Sequence, residues 1–255
     1  MAGEPAATSE DAVLGGRLVL RQPLKGHRVG HDAILLAAAS SAHAGDHVVD
    51  LGAGVGAAGL ALARRVADAT VTLVEIDPAL VKLARENVAG NGFGGNVRAV
   101  CLDVAASHAE FAAVGLPAGA ADRVLMNPPF NAEHSPSPDR ARRLAHSAGR
   151  DQLVLWLGVA AWLLRPGGIL TLIWRADGLD KLLAVMSADF GAIAILPVHP
   201  KPGAPAIRVL LRAVKAHNAP LSFLPGFFLN DAAGRPAAGA EAVLRGAAVL
   251  PLAKD

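Results

Sequence analysis

A glycine-rich segment follows an apolar run near residue 50 and has the spacing of a cofactor-binding turn. Asp50 lies near the end of the run, and Gly52, Gly54 and Gly56 follow at alternate positions. Glycines let the backbone pass close to a ligand because they have no Cβ. A turn from a strand into a helix places such a ligand at the carboxyl edge of a sheet. The segment therefore predicts a nucleotide-cofactor site.

A second segment, about 70 residues later, could hold a planar amine. It consists of Asn127, Pro128, Pro129 and Phe130. The side-chain carbonyl of Asn127 and the main-chain carbonyl of Pro128 can each accept an amine proton, and Phe130 offers a flat face for stacking a base. An exocyclic amine is a poor nucleophile because its lone pair is delocalised, so positioning would supply most of the catalysis. Together the two segments predict methyl transfer from S-adenosylmethionine to a nitrogen.

The acidic residues around the glycines bear on which cofactor binds. Residues 54–59 also satisfy the G-x-G-x-x-G pattern of dinucleotide sites, with Glu75 at a suitable distance for a ribose. Asp50, however, precedes the first glycine, where an acid can bind an aminoacyl ammonium, and Asp103 could accept from an adenine amine. Asp77 is the predicted helix cap, which leaves Glu75 for the ribose hydroxyls. These positions favour S-adenosylmethionine, with NAD or a purely structural turn as alternatives; for Asp103 a capping role is a further alternative.

Apolar runs alternate with helical patterns through most of the chain. Buried strands are predicted at residues 46–51, 70–75, 97–102, 123–126 and 169–174. Helices are predicted at residues 57–67, 78–91, 107–114 and 151–164. Strands that alternate with helices indicate a parallel α/β sheet with right-handed crossovers and helices on both faces.

The remaining segments extend this core at both ends. A short strand at 17–20 and helices at 31–39 and 179–188 are predicted, with an antiparallel hairpin formed by 192–198 and 206–214. The predicted division is a disordered tail at 1–15, an N-terminal strand and helix cap at 16–45, a core at 46–216 and a C-terminal extension at 217–255 that packs on the core.

The composition bounds the class of protein. The 255 residues are 53% hydrophobic and 18% charged, enough for a large core. The one cysteine, Cys101, is predicted to be buried, and it excludes an intrachain disulfide, which suits a cytoplasmic protein. No apolar run is long enough to span a bilayer, and residues 1–10 do not resemble a signal peptide. The nine histidines show no metal-ligand spacing, so no metal is predicted.

The positive charges are unevenly distributed, although the net charge is only +2. Residues 17–31, 140–150 and 199–217 hold half of the lysines and arginines and contain no acid. These windows are either solvated faces or strips that contact a phosphate backbone. The candidate RNA contacts are Lys25, Arg28, Arg140, Arg142, Arg143, Arg150, Lys201 and Arg208.

On these residues the chain resembles class I methyltransferases that modify exocyclic nitrogens, and most closely the bacterial tRNA1(Val) adenine N6-methyltransferase family. The less common shared parts are residues 28–36, Arg-Val-Gly-His-Asp-Ala-Ile-Leu-Leu, and 208–211, Arg-Val-Leu-Leu. The resemblance implies a Rossmann-like fold with a seven-stranded, mostly parallel sheet, an antiparallel edge hairpin and helices on both faces. The catalytic residues it implies are Asn127, Pro128, Pro129 and Phe130. The cofactor residues it implies are Gly30, Asp32, Asp50, Gly52, Gly54, Gly56, Glu75, Ile76, Asp103, Val104 and Asn127.

The implied activity is S-adenosyl-L-methionine-dependent methylation of adenine N6 in tRNA, on the purine next to the anticodon. Phe130 stands where some of that family have tyrosine, and phenylalanine is common in relatives that methylate guanine N2. A guanine-N2 methyltransferase acting on rRNA is therefore the first alternative. A protein-glutamine N5 methyltransferase and a non-catalytic nucleotide-binding protein are further alternatives. The expected partner is tRNA or another structured RNA, without a membrane, and a monomer is favoured.

Overall fold

The chain forms a large mixed sheet and a separate two-stranded sheet, together with helices. The computed structural model describes residues 7–24, 29–128 and 140–254, with residues 140–151 described through their backbone. The strands are β1 (Thr8–Val13), β2 (Leu18–Pro23), β3 (His47–Leu51), β4 (Thr70–Glu75), β5 (Val97–Cys101), β6 (Ala121–Met126), β7 (Leu164–Arg175), β8 (Phe190–His199), β9 (Arg208–Lys215), β10 (Ser222–Phe223) and β11 (Phe227–Phe228). The α-helices are α1 (His31–Ala39), α2 (Ala57–Arg65), α3 (Pro78–Gly90), α4 (His108–Ala113), α5 (Arg140–Leu163), α6 (Leu179–Met186) and α7 (Ala238–Leu244).

The large sheet has the strand order β10-β8-β9-β7-β6-β3-β4-β5, and β11 also pairs with β8. Strands β3 to β7 are mutually parallel where they pair, and β9 is antiparallel to both β7 and β8. The chain proceeds outward from β3 in one direction and then returns to β6 on its other side. This reversal is the place where ligands bind in open α/β sheets, at the carboxyl ends of the strands.

Helices cover both faces of the large sheet. One apolar core contains Leu60 and Leu62 of α2, together with residues of α1 and α3. The second core contains Phe111 of α4 and Trp156 and Leu157 of α5. A parallel sheet needs this cover because its strands are apolar on both sides. The predicted α/β class, with an antiparallel edge hairpin and helices on both faces, is confirmed.

The large sheet has nine strands among the described residues, rather than the seven expected. The two extra strands, β10 and β11, belong to the C-terminal extension and pair in parallel with β8. They satisfy backbone groups that an edge strand would otherwise leave unpaired. Their two-residue length leaves almost no periodic pattern in the sequence.

The prediction that residues 1–15 form a disordered tail is wrong for residues 8–13, which form β1. Strand β1 pairs with β2 over its full length, and Asp11 accepts a hydrogen bond of 2.7 Å from the buried Gln22 amide. Leu18 and Leu20 of β2 lie in the first core and fix the strand to which β1 pairs. Residues 1–6 lie outside the described part of the chain.

Two smaller expectations also need correction. Cys101 is exposed rather than buried, because it ends β5, which lies at the edge of the sheet. Helix α5 begins at Arg140, well before residue 151, so the basic window at 140–150 is helical. In the described residues, no helix has the length and apolar character needed to cross a membrane.

Candidate active site

The turn between β3 and α2 has a backbone that requires glycine. Gly52, Gly54 and Gly56 have φ angles of +69°, +58° and +89°, in the left-handed region. A Cβ on Gly52 would lie 2.4 Å from the ring of Trp156, and one on Gly56 would lie 2.8 Å from Leu73. Gly54 is different, because a Cβ there would meet nothing within 4 Å. The turn is therefore packed on two sides and open at Gly54.

Asp50 is a buried carboxylate at the end of β3. Its side chain is only 2% exposed, and its Oδ2 accepts a hydrogen bond of 2.8 Å from the Gly59 N–H. Burial raises the pKa of Asp50 to about 7; the Gly59 hydrogen bond opposes this rise and the charge of Glu75 adds to it. No cationic side chain among the described residues pairs with Asp50. A cationic ligand would satisfy this carboxylate.

Glu75 connects the glycine turn to the end of β4. Its Oε2 accepts from the Gly54 N–H at 2.8 Å, and its Oε1 accepts from the Asp77 N–H at 2.9 Å. Asp77 caps α3 by accepting from the Ala79 N–H at 2.8 Å, which confirms its predicted role. Each Glu75 oxygen has further lone pairs for hydroxyl donors. Next to it, Ile76 is 58% exposed and provides an apolar surface.

Asp103 and Val104 lie just beyond β5, beside the end of β4. The Leu102 N–H donates to the Glu75 carbonyl at 2.9 Å, which brings the two strand ends together. Asp103 is exposed and accepts from the Ala105 N–H at 2.8 Å, whereas Val104 is buried. Helix α4 is capped by Ser107, so Asp103 does not serve as its cap. One Asp103 oxygen is thus fixed locally while its side chain faces solvent.

Asn127 follows β6, the neighbour of β3 at the reversal of strand order. Leu51 pairs in register with Met126, so Gly52 and Asn127 leave adjacent strand ends, about 4.8 Å apart in an ordinary sheet. The side-chain oxygen of Asn127 is buried and has no hydrogen-bond partner in the described part of the chain. A buried acceptor without a donor costs free energy, which makes this oxygen a candidate acceptor for a ligand donor. Pro128 is buried, while Pro129 and Phe130 lie outside the described residues.

Gly30 and Asp32 lie at the start of α1, at the same edge of the sheet. Asp32 forms an ion pair of 2.9 Å with Arg208. Arg208 pairs in register with Arg175, the last residue of β7, so it lies at the carboxyl end of β7. The ion pair therefore fixes the start of α1 near the Asn127 strand end. Gly30 itself is the N-cap of α1.

Comparison with known proteins identifies the family of this chain. The family model described as the Methyltransferase small domain matches residues 28–197. The chain belongs to that family. A relative from Aeromonas hydrophila, named tRNA1(Val) (adenine(37)-N6)-methyltransferase, is 33% identical over 195 residues, which cover 75% of this chain and 78% of the relative. A relative of the same name from Tolumonas auensis is 30% identical over 63% of this chain and 65% of its own length.

Solved methyltransferase structures share the fold. A protein from Agrobacterium tumefaciens, described as a predicted O-methyltransferase, superposes with a TM-score of 0.73 and 28% identity, covering 86% of this chain and 98% of that one. A 16S rRNA N2 methyltransferase of T. thermophilus, solved with AdoMet and guanosine, gives a TM-score of 0.55 and 23% identity, covering 82% of this chain and 50% of that one.

The structure places the cationic residues that were predicted to contact RNA in different environments. Lys201 is exposed in the turn between β8 and β9. Arg208 forms an ion pair with Asp32, and its role as an RNA contact stays a prediction. Two neighbours in its window serve the fold: Arg212 donates to the carbonyls of Leu252 and Lys254, and Lys215 donates to that of Leu164. Lys25 and Arg28 lie outside the described residues, as do the side chains of Arg140, Arg142, Arg143 and Arg150.

Sequence reasoning missed three residues that build the site. Trp156 packs against Gly52 from α5, about a hundred residues away in sequence. Gly59 approaches Leu73 so closely that a Cβ would lie 2.3 Å from its side chain, and it also binds Asp50. Asn87 of α3 is 3% exposed and contacts the glycine turn. The signal for Asn87 was an amide at a core-facing helical position, where an apolar residue would be expected.

Proposed function

We propose that this chain transfers a methyl group from S-adenosyl-L-methionine to the exocyclic N6 of adenine 37 in tRNA. The observation that carries the proposal is the buried, unpartnered side-chain oxygen of Asn127 beside the glycine turn. The names of relatives that match about three quarters of the chain support tRNA adenine as the target. When bound, S-adenosyl-L-methionine supplies an electrophilic methyl group on a sulfonium.

The residues present fit this cofactor. Asp50 is a buried carboxylate without a cation, which suits the aminoacyl ammonium. Glu75 would accept hydrogen bonds from the ribose hydroxyls, and Asp103 would accept one from the adenine amine. The adenine ring would lie between the apolar side chains of Ile76 and Val104. Gly54 presents the open side of the turn, so the cofactor can contact the backbone there.

Asn127 and Pro128 would orient the target amine. The Asn127 side-chain oxygen and the Pro128 carbonyl each accept one amine proton, which aims the nitrogen lone pair at the methyl carbon. As the N–C bond would form and the methyl–sulfur bond would break, positive charge would pass from the sulfur to the nitrogen, where both acceptors would stabilise it. The extra proton then leaves to solvent, so no strong general base is needed. Phe130 is proposed to stack on the base.

The N-terminal and basic segments would contribute to substrate binding. Gly30 and Asp32 are proposed to border the cofactor, because the Asp32–Arg208 ion pair fixes α1 beside it. The anticodon loop is partly single-stranded, so its bases are cheap to extrude. Lys201 and the arginines of α5 are proposed to contact its phosphates.

A substitution at Asn127 tests this function directly. Purified wild type and Asn127→Ala are incubated with labelled S-adenosyl-L-methionine and total tRNA or rRNA from cells that lack this gene, followed by nucleoside mass spectrometry. We expect N6-methyladenosine from the wild type and at least a hundredfold slower turnover in Asn127→Ala. The cofactor Kd should stay within about threefold.

Asn218→Ala is the matched control, because Asn218 is an exposed amide at the opposite, amino edge of the sheet. It should keep wild-type turnover. Formation of N2-methylguanosine in rRNA would move the target to guanine, and no RNA product from the wild type would remove RNA as the substrate. Turnover retained in Asn127→Ala would refute the assigned role of Asn127.

A further inference from the structure

Two asparagines, Asn87 of α3 and its C-cap residue Asn91, bind strand β2 as a neighbouring strand would. Asn91 accepts from the Val19 N–H at 3.0 Å and donates to the Val19 carbonyl at 2.7 Å. Asn87, one helical turn earlier, accepts from the Arg21 N–H at 2.7 Å and donates to the Arg21 carbonyl at 3.0 Å. Each side-chain amide therefore forms hydrogen bonds with both the N–H and the carbonyl of one residue in β2. The N-terminal hairpin, formed by β1 and β2, is fixed to α3 by this pair of side chains.

Each asparagine makes one additional contact, but only that of Asn87 is with the glycine turn, because Asn91 donates to the Asn87 carbonyl at 2.8 Å. Its Nδ2 also donates to the Val55 carbonyl at 3.0 Å, and both residues are buried. Val55 lies between Gly54 and Gly56, at the centre of the turn. Asn87 thus joins the hairpin to the segment proposed to bind the cofactor.

The start of α2 leaves the Val55 carbonyl outside the helix. Val55 precedes Gly56, the N-cap of α2, and the first bond of the helix runs from the Leu60 N–H to the Gly56 carbonyl at 2.9 Å. The Gly59 N–H belongs to the first turn, where N–H groups have no carbonyl partner within the helix, and it donates to Asp50 at 2.8 Å. A Val55 carbonyl buried without a donor would cost free energy. Asn87 supplies that donor.

The hairpin also reaches the segment before α1. Gln22 of β2 is 3% exposed, and its Oε1 accepts from the Val29 N–H at 2.9 Å. Val29 precedes Gly30, and two residues further Asp32 binds Arg208. A chain of hydrogen bonds therefore connects the glycine turn, through Asn87 and β2, to the start of α1.

We infer that the N-terminal hairpin is part of the cofactor site and that Asn87 is the positioning residue that couples it to the glycine turn. This inference rests on the proposed function, because it assumes that the turn binds S-adenosyl-L-methionine. Asn87 does not contact the cofactor itself. It holds the Val55 peptide, and with it the glycine turn between Asp50 and α2.

The test compares Asn87→Leu with Asn91→Leu. Leucine has the same branched arrangement of four side-chain heavy atoms and no hydrogen-bonding groups. Both variants lose one two-bond contact with β2. Asn91→Leu also loses its bond to the Asn87 carbonyl, whereas only Asn87→Leu loses the contact with Val55. We expect both to lower the Tm. The Kd for S-adenosylhomocysteine, measured by calorimetry at a temperature where both variants are folded, should rise at least tenfold in Asn87→Leu and less than twofold in Asn91→Leu.

Hydrogen exchange of the ligand-free proteins gives a readout that does not need the cofactor. Peptides that cover residues 52–60 should exchange at least tenfold faster in Asn87→Leu than in Asn91→Leu. Equal Kd values, or equal exchange in these peptides, would overturn the inference. Wild type that fails to bind S-adenosylhomocysteine would contradict the proposed function, while the exchange comparison would still decide the role of Asn87. Should Asn87→Leu not fold, Asn87→Ser and Asn91→Ser replace the pair with the same criteria.

Discussion

Asp50 lies in an environment that opposes its charge before a ligand arrives. The carboxyl is buried, has one hydrogen bond from Gly59 and lies near the charge of Glu75. Its pKa is raised to about 7 chiefly because burial removes water from the charged form. A bound ammonium would reverse this preference. Stability and cofactor affinity therefore make opposite demands on this residue.

The first prediction concerns the stability of Asp50→Asn. The unfolded chain ionises Asp50 near its ordinary pKa of 3.8, whereas the folded chain keeps the proton up to about pH 7. Unfolding therefore releases a proton in this window, and the free energy of unfolding falls as the pH rises from about 4 to about 7. The total effect is about 4 kcal/mol at about 1.4 kcal/mol per pKa unit.

Asp50→Asn should lose this slope. Relative to the wild type, it should be more stable at pH 8 by up to this amount and equally stable at pH 4. Urea unfolding of both proteins at several pH values measures the difference. Parallel stability curves across the window would show that Asp50 does not titrate as inferred.

The second prediction concerns the pH dependence of cofactor binding. Because the ammonium needs the ionised carboxylate, the wild-type Kd for S-adenosylhomocysteine should weaken as the pH falls below about 7, approaching tenfold per pH unit. Asp50→Asn should bind weakly at every pH, without this dependence. Calorimetry between pH 5 and 7.5 provides the measurement, and a pH-independent wild-type Kd would contradict the role of Asp50.

At the scale of elements, the glycine turn is fixed by parts of the chain that are far away in sequence. Helix α5 places Trp156 against Gly52, and β4 places Leu73 against Gly56. Glu75, at the end of β4, holds the Gly54 N–H. The turn therefore keeps its shape through packing on two sides and one hydrogen bond, and its open side at Gly54 is the proposed contact with the cofactor.

The third prediction compares Gly52→Ala with Gly54→Ala. Both glycines have positive φ angles, so alanine strains the backbone at either site by about 1 kcal/mol or more. At Gly52 the new Cβ would also overlap the Trp156 ring, which raises the expected loss of stability to about 3 kcal/mol. Gly54→Ala should lose only the stability that corresponds to the strained backbone.

Gly52→Ala should lose more stability, whereas Gly54→Ala should lose more affinity for the cofactor. The methyl group of Gly54→Ala would occupy the open side of the turn, so this variant should weaken the Kd for S-adenosylhomocysteine at least tenfold despite its near-normal stability. Urea unfolding and calorimetry on both variants test the pair. A normal Kd in Gly54→Ala would place the cofactor elsewhere.

At the scale of the whole molecule, ion pairs occur at both edges of the large sheet, including Asp32–Arg208 at the carboxyl edge. At the amino edge, Asp122 pairs with Arg165 at 2.5 Å and Asp46 pairs with Arg123 at 3.3 Å. At the carboxyl edge, Asp50 has no cationic partner and the Asn127 oxygen has no donor among the described residues. The reversal of strand order therefore brings together, in the described part of the chain, a buried carboxylate without a cation and a buried amide oxygen without a donor.

The fourth prediction concerns electrostatic binding of RNA. Replacing Arg142 and Arg143 by alanine should weaken tRNA binding and reduce the slope of log K against log salt concentration by about 1.5, because each lost phosphate contact removes about 0.7 to 0.9. Arg235→Ala with Arg245→Ala is the control, since these exposed arginines form ion pairs within the C-terminal extension. The control should keep the wild-type slope. Filter binding at several salt concentrations measures both, and an unchanged slope in the first variant would remove α5 from the RNA surface.

Local sequence determined the elements and the main residues of the candidate site. The apolar run before Asp50, the alternate glycines and the helical pattern after them specify a strand, a turn and a helix within about twenty residues. Asp77 before Pro78 marks the start of α3 for the same reason, because a cap acts on its neighbours. Asn127 could be assigned to the sheet edge because it directly follows a buried strand. Each of these inferences depends on neighbours in the chain.

Tertiary structure alone decided which distant groups became partners. Arg208 and Asp32 each had the features of a ligand contact, yet they bind each other across 176 positions. Residues 8–13 are too polar to predict a strand, and they form one because β2 offers its backbone beside a buried face. Asn87 meets Val55 because α3 packs beside the start of α2. Periodicity and turn chemistry act over a few residues, whereas these pairs form only when packing brings remote segments together.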